Sequence, residues 1–253
     1  MKLSQISINF DSDIEIIPFG ESAILIEFGK GIDPKIHQKV NALTEYLDRH
    51  PLPGMIEYIA AFSSVTIVYD PIQVKKLQVD AVLGKDQLSY TILSTSVREI
   101  LAKLSHKVDH TPRIVEIPVC YGGEFGPDLE YVAEYNQLPI DEVIKIHTNG
   151  QYLVYMIGFA PGFPYVGGMS EKISTPRRQS PRMSIPAGSV GIAGMQTGVY
   201  PIETPGGWQL IGRTPLELFR PNDNPPSLLQ SGDVIRFYPI SQKEYTEYKG
   251  EEQ

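Results

Sequence analysis

The chain has 253 residues, 42% hydrophobic and 21% charged, the make-up of a globular protein with one large or two ordinary domains rather than a disordered one. A formal net charge of −8 lacks the basic surplus of a nucleic-acid binder. Cys120 is the single cysteine, which excludes an intrachain disulfide and a closed Cys-based zinc site. No apolar run nears the roughly 18 residues of a membrane span, and the opening MKLSQISINFDSD lacks a signal-peptide core, so the expected location is cytoplasmic.

Residues 14–16 and 23–28 (AILIEF) read as two strands about a turn at Gly20. Asp33-Pro34 offers an N-cap followed by Pro at the first helical position. Ile36, Val40, Leu43 and Leu47 then recur on one helical face until Pro51 and Pro53 stop it. Ile56, Tyr58 and Ala60 alternate, as do Val65, Ile67 and Tyr69, which predicts a hairpin turning near Ser63-Ser64. Leu93, Val97, Ile100, Leu101 and Leu104 mark a second helix. The order is β-β-α-β-β-α, or a ferredoxin-like variant if the first pair is one bent strand. Either way it predicts a small N-terminal α+β (α/β sandwich) domain over residues 1–107. The polar stretch SHKVDHTPR (105–113) is the expected boundary, with a second domain over 108–253.

That second domain opens with a strand at 114–119, then helices at 128–135 and 140–147, the latter closed by Asn149-Gly150. YLVYMI (152–157) is an apolar strand. From 158 to 226 helical periodicity lapses. Short apolar pieces at 190–193, 208–211 and 216–219 are separated by Gly and Pro, and more than half of the 22 glycines lie between 150 and 212. VIRFY (234–238) follows the turn Ser231-Gly232-Asp233, and the tail KGEEQ is expected to fray. Many short strands with Gly/Pro turns mean a barrel or sandwich.

Several chemistries are excluded by missing motifs. There is no GxxxxGK[ST] loop, no GxGxxG after a strand, no GxSxG around Ser189 and no HExxH, and the five histidines are scattered, so no metal site is expected. What is present is a concentration of Arg. Five of the nine arginines (Arg177, Arg178, Arg182, Arg213, Arg220) fall between 177 and 220, a pattern suited to carboxylate or phosphate recognition. The bland alternative is pairing with Glu203, Glu217 and Asp223. Arg177 and Arg182 stand out because Pro176 and Pro181 stiffen their loop.

Other candidates are each read two ways. Asp128 starts a helix, which favours an N-cap over a catalytic acid. His147 ends one, as a proton carrier or as a cation against the helix dipole. Trp208, the only Trp, is a core plug or a ligand platform. Gln196 and Tyr200, in the run 196–200, could orient an amide. The stretch GFAPGFPYVGG (158–168) reads as a rigid loop leaving the strand 152–157. Its Phe159, Pro161, Phe163 and Tyr165 would make an apolar wall beside the Arg-rich loop, unless they simply pack in the core.

The segments YGGEFGPDLEYVA (121–133), GFAPGFPYVGGM (158–169), TPRRQSPRMSIPAGSVGIAGMQTGVYP (175–201) and TPGGWQLIGRTPLELF (204–219) resemble the allophanate hydrolase subunit 1 family. A looser likeness extends through IIPFGESAILIEFG and LPGMIEYIAAFSSVTIVYDP. The resemblance implies an N-terminal α+β unit followed by a cyclophilin-like β-barrel. It implies the B-type subunit of an ATP-dependent 5-oxoprolinase, opening 5-oxo-L-proline to L-glutamate. The work would be done with a paralogous C-type subunit (allophanate hydrolase subunit 2 type) and an A-type subunit, supplied in trans because this chain stops soon after the barrel. Phosphorylation of the lactam oxygen by ATP would create a leaving group, and arginines would steady the developing charge. Without a phosphate loop here, ATP is expected to be bound with the partner subunit. The family also contains inhibitors of a sporulation-type sensor histidine kinase, which gives the alternative of a regulatory binder. On this reading Arg177, Arg182, His147 and Asp128 are the catalytic candidates. Phe159, Pro161, Phe163, Tyr165, Gln196, Tyr200, Trp208 and Arg213 are the substrate-binding ones.

Overall fold

The computed structural model describes residues 14–76, 88–104 and 112–251. The expected boundary at 107/108 and the opening segment 1–13 lie outside the described residues. The chain divides into two units, Met1–Thr111 and Pro112–Gln253.

In the first unit β1 (Glu15–Pro18) and β2 (Ala23–Glu27) form an antiparallel hairpin. They are two strands, not one bent strand, so the single-strand condition for a ferredoxin-like order is not met. Helix α1 (Pro34–Arg49) starts as the Asp-Pro signal predicts, with the Asp33 carboxylate accepting the Lys35 N–H at 2.8 Å. Strands β3 (Met55–Ala60) and β4 (Ser64–Tyr69) make the second hairpin. A short helix α2 (Pro71–Lys76) was not foreseen, although Asp70-Pro71 repeats the same signal and Asp70 accepts the Ile72 and Gln73 N–H groups. Helix α3 (Ser89–Leu104) completes the unit. The sheet order is β1-β2-β4-β3, antiparallel throughout. Ile24, Ile26, Val65 and Ile67 on one face are fully buried with Val40 and Leu43 of α1 and Val97 of α3.

The second unit is built on β5 (Ile114–Tyr121), α4 (Leu129–Tyr135), α5 (Ile140–Thr148), β6 (Tyr152–Ile157), β7 (Pro164–Gly167), β8 (Arg182–Ile185), β9 (Ser189–Ala193) and β10 (Gln196–Val199). It continues through β11 (Thr204–Gly206), β12 (Gln209–Arg213), β13 (Val234–Pro239) and α6 (Gln242–Glu251). Seven strands form one sheet in the order β10-β9-β12-β5-β13-β6-β7, and its two end strands lie against each other, so the sheet is nearly closed into a barrel. β8 and β11 make a separate two-stranded ribbon.

Along β12 successive side chains serve different cores. Ile211 joins Ile117, Val154, Ile192 and Phe237 and the buried sides of α4 and α5. Leu210 joins Phe163, Ile185, Tyr200 and Trp208. This is the two-residue alternation of a strand covered on both faces.

Three expectations need correcting. Residues 164–167 are not loop but strand, with Ile157 opposite Pro164. Proline is tolerated there because β7 is an end strand and starts at that residue. Residues 216–219 contribute only the bridge Phe219↔Ser227. The tail, expected to fray, is helical to Glu251.

Candidate functional site

The site grows from a clamp between the start of α4 and β12. β12 pairs with β5 only at Gly212 and Arg213, which leaves the N–H and C=O of Leu210 free on that edge. Asp128 takes both. Its N–H donates to Leu210 O at 2.9 Å, and its Oδ2 accepts the Leu210 N–H at 2.7 Å. Gly126 makes the approach possible, because a Cβ there would lie 2.1 Å from Ile211 O. β12 also carries a register shift between Leu210 and Gly212 against β9, a bulge of the kind that re-aims backbone groups beside sites.

The other oxygen of Asp128 gathers two arginines. Oδ1 accepts from Arg182 Nη2 at 2.8 Å and from Arg178 Nη1 at 3.1 Å. Asp128 occupies the N-cap position of α4 but makes no capping bond, because both oxygens are engaged elsewhere. The N-cap reading is therefore corrected. Its side chain is 7% exposed, against 37% for Arg178 and 23% for Arg182, so the carboxylate is closed in while the cations reach the surface. Arg178 was counted in the Arg cluster but not singled out. Arg177, singled out beside it, is exposed and forms no ion pair among the described residues.

Tyr200 links this clamp to the aromatic residues. Its hydroxyl lies against Gly206, where a Cβ would come within 2.6 Å, and Gly206 is the register partner of Arg182. Burial pushes the Tyr200 hydroxyl up to about 12, with the charges of Arg177 and Arg182 pulling the other way, so it stays a neutral donor. The Tyr200 ring packs edge-on against Phe163 and Trp208, and Phe163 also meets Phe159 and Tyr165 edge-on.

The expected contact role of Phe163, Tyr200 and Trp208 is revised by their burial: all three are core residues. Phe159 differs, at 67% exposed and φ +66°, a left-handed backbone that a bulky residue rarely adopts. Pro161 is exposed, and Tyr165 and Gln196 are half-buried.

His147 stands apart, on the buried side of α5. The Thr197 hydroxyl donates to the Gly191 carbonyl at 3.0 Å, so toward His147 it must accept. The ring therefore donates Nε2–H to Thr197 at 2.9 Å and accepts the Tyr121 hydroxyl at Nδ1, 2.7 Å away. Phe237 stacks on it at 4.6 Å. Complete burial lowers its pKa to about 3, so the ring is neutral, and the reading of His147 as a cation against the helix dipole is corrected. Arg213 is not gathered into the Asp128 clamp either. It lies over the Phe125 ring at 5.7 Å, and its charge acts on the Tyr245 hydroxyl of α6. Arg220 sits 3.8 Å from both Glu217 and Asp223, the weak surface pairing that was the bland alternative.

A family model described as "Carboxyltransferase domain, subdomain C and D" matches residues 14–229, and the chain belongs to that family. The 5-oxoprolinase B subunit of Bacillus subtilis (strain 168) is 55% identical over 237 residues, 94% of this chain and 97% of that protein. The likeness to the allophanate hydrolase subunit 1 family drawn from the motifs therefore holds. The crystal structure of PH0987 from Pyrococcus horikoshii is 44% identical and superposes with a TM-score of 0.52 over 91% of this chain and all of that one. TTHA0988 is 33% identical with a TM-score of 0.71, covering 87% of this chain. This chain spans only 39% of TTHA0988.

Proposed function

We propose that the chain is the B-type subunit of an ATP-dependent 5-oxoprolinase, hydrolysing 5-oxo-L-proline to L-glutamate together with partner subunits of the A and C types. The observation that carries this is the 55% identity, over nearly the full length of both chains, to a protein named for that role. The surface fits a subunit that acts on an anionic substrate at a joint. Arg177 and Arg178 lie on the loop that leads into β8, Arg182 opens that strand, and a strained, exposed Phe159 packs edge-on against Phe163 of the aromatic cluster. Shared working surfaces are also suggested by TTHA0988, where the homologous part is continuous with a longer chain.

The helix starts of the second unit do not fit a triphosphate. Asp128 and Glu130 stand at the start of α4, and Asp141 and Glu142 in the first turn of α5, where phosphate would be repelled. ATP is accordingly assigned to a surface completed by a partner subunit. What this chain contributes is binding and orientation: cations that favour an oxyanion and a closed aromatic floor that holds their loop in place.

The test is reconstitution. The chain and its partner subunits are purified, and ATP-dependent glutamate release from 5-oxo-L-proline is measured with each subunit omitted in turn. Activity should require all of them. It should fall at least about ten-fold in Arg177→Ala, the loss of one charged hydrogen bond, with thermal unfolding unchanged because that side chain is exposed. A complete mixture that gives no turnover, while the chain alone suppresses autophosphorylation of a sensor histidine kinase, would replace the enzyme reading with the regulatory one.

A further inference from the structure

We propose that Arg178 and Arg182, set in place by Asp128, form a subsite for the carboxylate of the ring-amide substrate, an assignment that rests on the oxoprolinase reading. Two guanidinium groups converge on one oxygen, Asp128 Oδ1, at 3.1 and 2.8 Å. The second oxygen accepts the Leu210 N–H at 2.7 Å and takes neither guanidinium. Two cations and one carboxylate leave one positive charge. No other Asp or Glu forms an ion pair with either arginine among the described residues, and the nearby Glu203 accepts from the Ser184 hydroxyl instead.

The donors are also incompletely used. Arg178 Nε and Arg182 Nη1 are enclosed yet have no acceptor among the described residues. An arrangement that crowds two cations and leaves donors without acceptors is costly unless a further anion completes it. Asp128 itself is 7% exposed, while the Arg178 and Arg182 side chains keep 37% and 23% exposure, so the pair can be reached from solvent although its carboxylate cannot.

The charge count selects the anion. The anchored pair presents a single unit of charge, and the planar guanidinium fork matches a carboxylate in two parallel hydrogen bonds. A phosphate dianion would leave excess negative charge against Asp128. Arg177 adds a partly screened charge beside the pair, so the preference for a carboxylate over a phosphate rests first on the planar forks anchored by Asp128. Asp128 is thus a positioning residue: it touches no substrate but fixes where the two forks point.

The test uses the chain assembled with its partner subunits. Arg182→Lys keeps the charge and removes the fork. KM for 5-oxo-L-proline should rise on the order of 10- to 100-fold with kcat nearly unchanged. Asp128→Asn keeps the volume but loosens both arginines, and should move KM the same way. 2-Pyrrolidinone, the same ring without the carboxylate, should inhibit wild type poorly and both variants equally poorly. A fall in kcat at constant KM, or equal losses for both ring compounds, overturns the assignment. Competition by inorganic phosphate that disappears in Arg182→Lys also overturns it, because the pair would then serve a phosphoryl group. Should Asp128→Asn fail to fold, Arg182→Lys carries the test alone.

Calorimetric titration of the same complex keeps this idea separate from the proposed activity. Arg182-dependent binding of 5-oxo-L-proline, without binding of 2-pyrrolidinone, sustains the subsite even if no turnover is found. Absence of binding by either compound removes the subsite.

Discussion

Two polar constellations are built into the same barrel, and they resolve burial in opposite ways. Around His147 every group is neutral and every hydrogen bond closes within the protein: Tyr121 to Nδ1, Nε2 to Thr197, Thr197 to Gly191. Around Asp128 the groups are charged, the cations outnumber the anion, and two enclosed donors lack acceptors among the described residues. A completed neutral network with no open side can hold a fold in register but has nothing left to offer a ligand. A charged cluster whose carboxylate is buried while its cations keep some exposure holds binding capacity in reserve. Burial alone therefore does not mark a site, and the balance of charge and donors does.

Breaking the charged constellation should give the largest effect. Asp128→Ala leaves two arginines and the Leu210 N–H without their acceptor. It should destabilise the protein by about 3 kcal/mol, the low end for a broken buried pair because both arginines are partly exposed. Urea denaturation at neutral pH measures it. A loss below about 1 kcal/mol would place the cluster with ordinary surface ion pairs and undo the contrast.

The neutral constellation should show itself through pH. The folded pKa of His147, about 3, lies below the ordinary value of 6.5, so the unfolded chain takes up a proton that the folded one refuses. Stability is unaffected above pH 6.5 and falls as pH drops from there toward 3, by about 1.4 kcal/mol per unit. Between pH 7 and 5 wild type should lose ~2 kcal/mol more than His147→Gln, whose amide does not titrate. Equal slopes for the two proteins would mean that the folded ring takes up its proton as readily as the unfolded one.

The sequence carried the elements of both constellations but not their assembly. Strand and helix periodicity placed β4, α1, α3, β5 and β6 closely, because apolar spacing reports which face is buried. The loop 175–182 stood out through Pro and Arg. Nothing in the spacing could reveal that Arg182 meets Asp128, because that contact depends on a free edge of β12 and on Gly126 fitting against Ile211, far away in the chain. His147 was more legible than the reading made of it. It follows Val143 by four residues on α5, and both are buried, so the helical face already assigned it to the core. The strand at 164–167 was missed because Pro164 argued against one, and only its place at the end of the sheet permits it.

The smallest expected change comes from Phe159, and it sharpens the comparison by asking where the open side lies. Phe159 meets the buried Phe163 edge-on at 5.5 Å while remaining 67% exposed and holding φ at +66°. Phe159→Gly loses an edge contact worth about 0.5–1.5 kcal/mol and gains unfolded-state freedom, but relieves about 1–2 kcal/mol of left-handed strain. The sum should lie within about 1 kcal/mol of zero in urea denaturation. Assembly with the partner subunits, or turnover of the assembled complex, should nevertheless weaken, because strain kept at an exposed aromatic has no use in holding the core. A loss above about 2 kcal/mol with assembly and turnover intact would return Phe159 to the core beside Phe163, and leave the arginine pair as the one feature of this face prepared for something outside the chain.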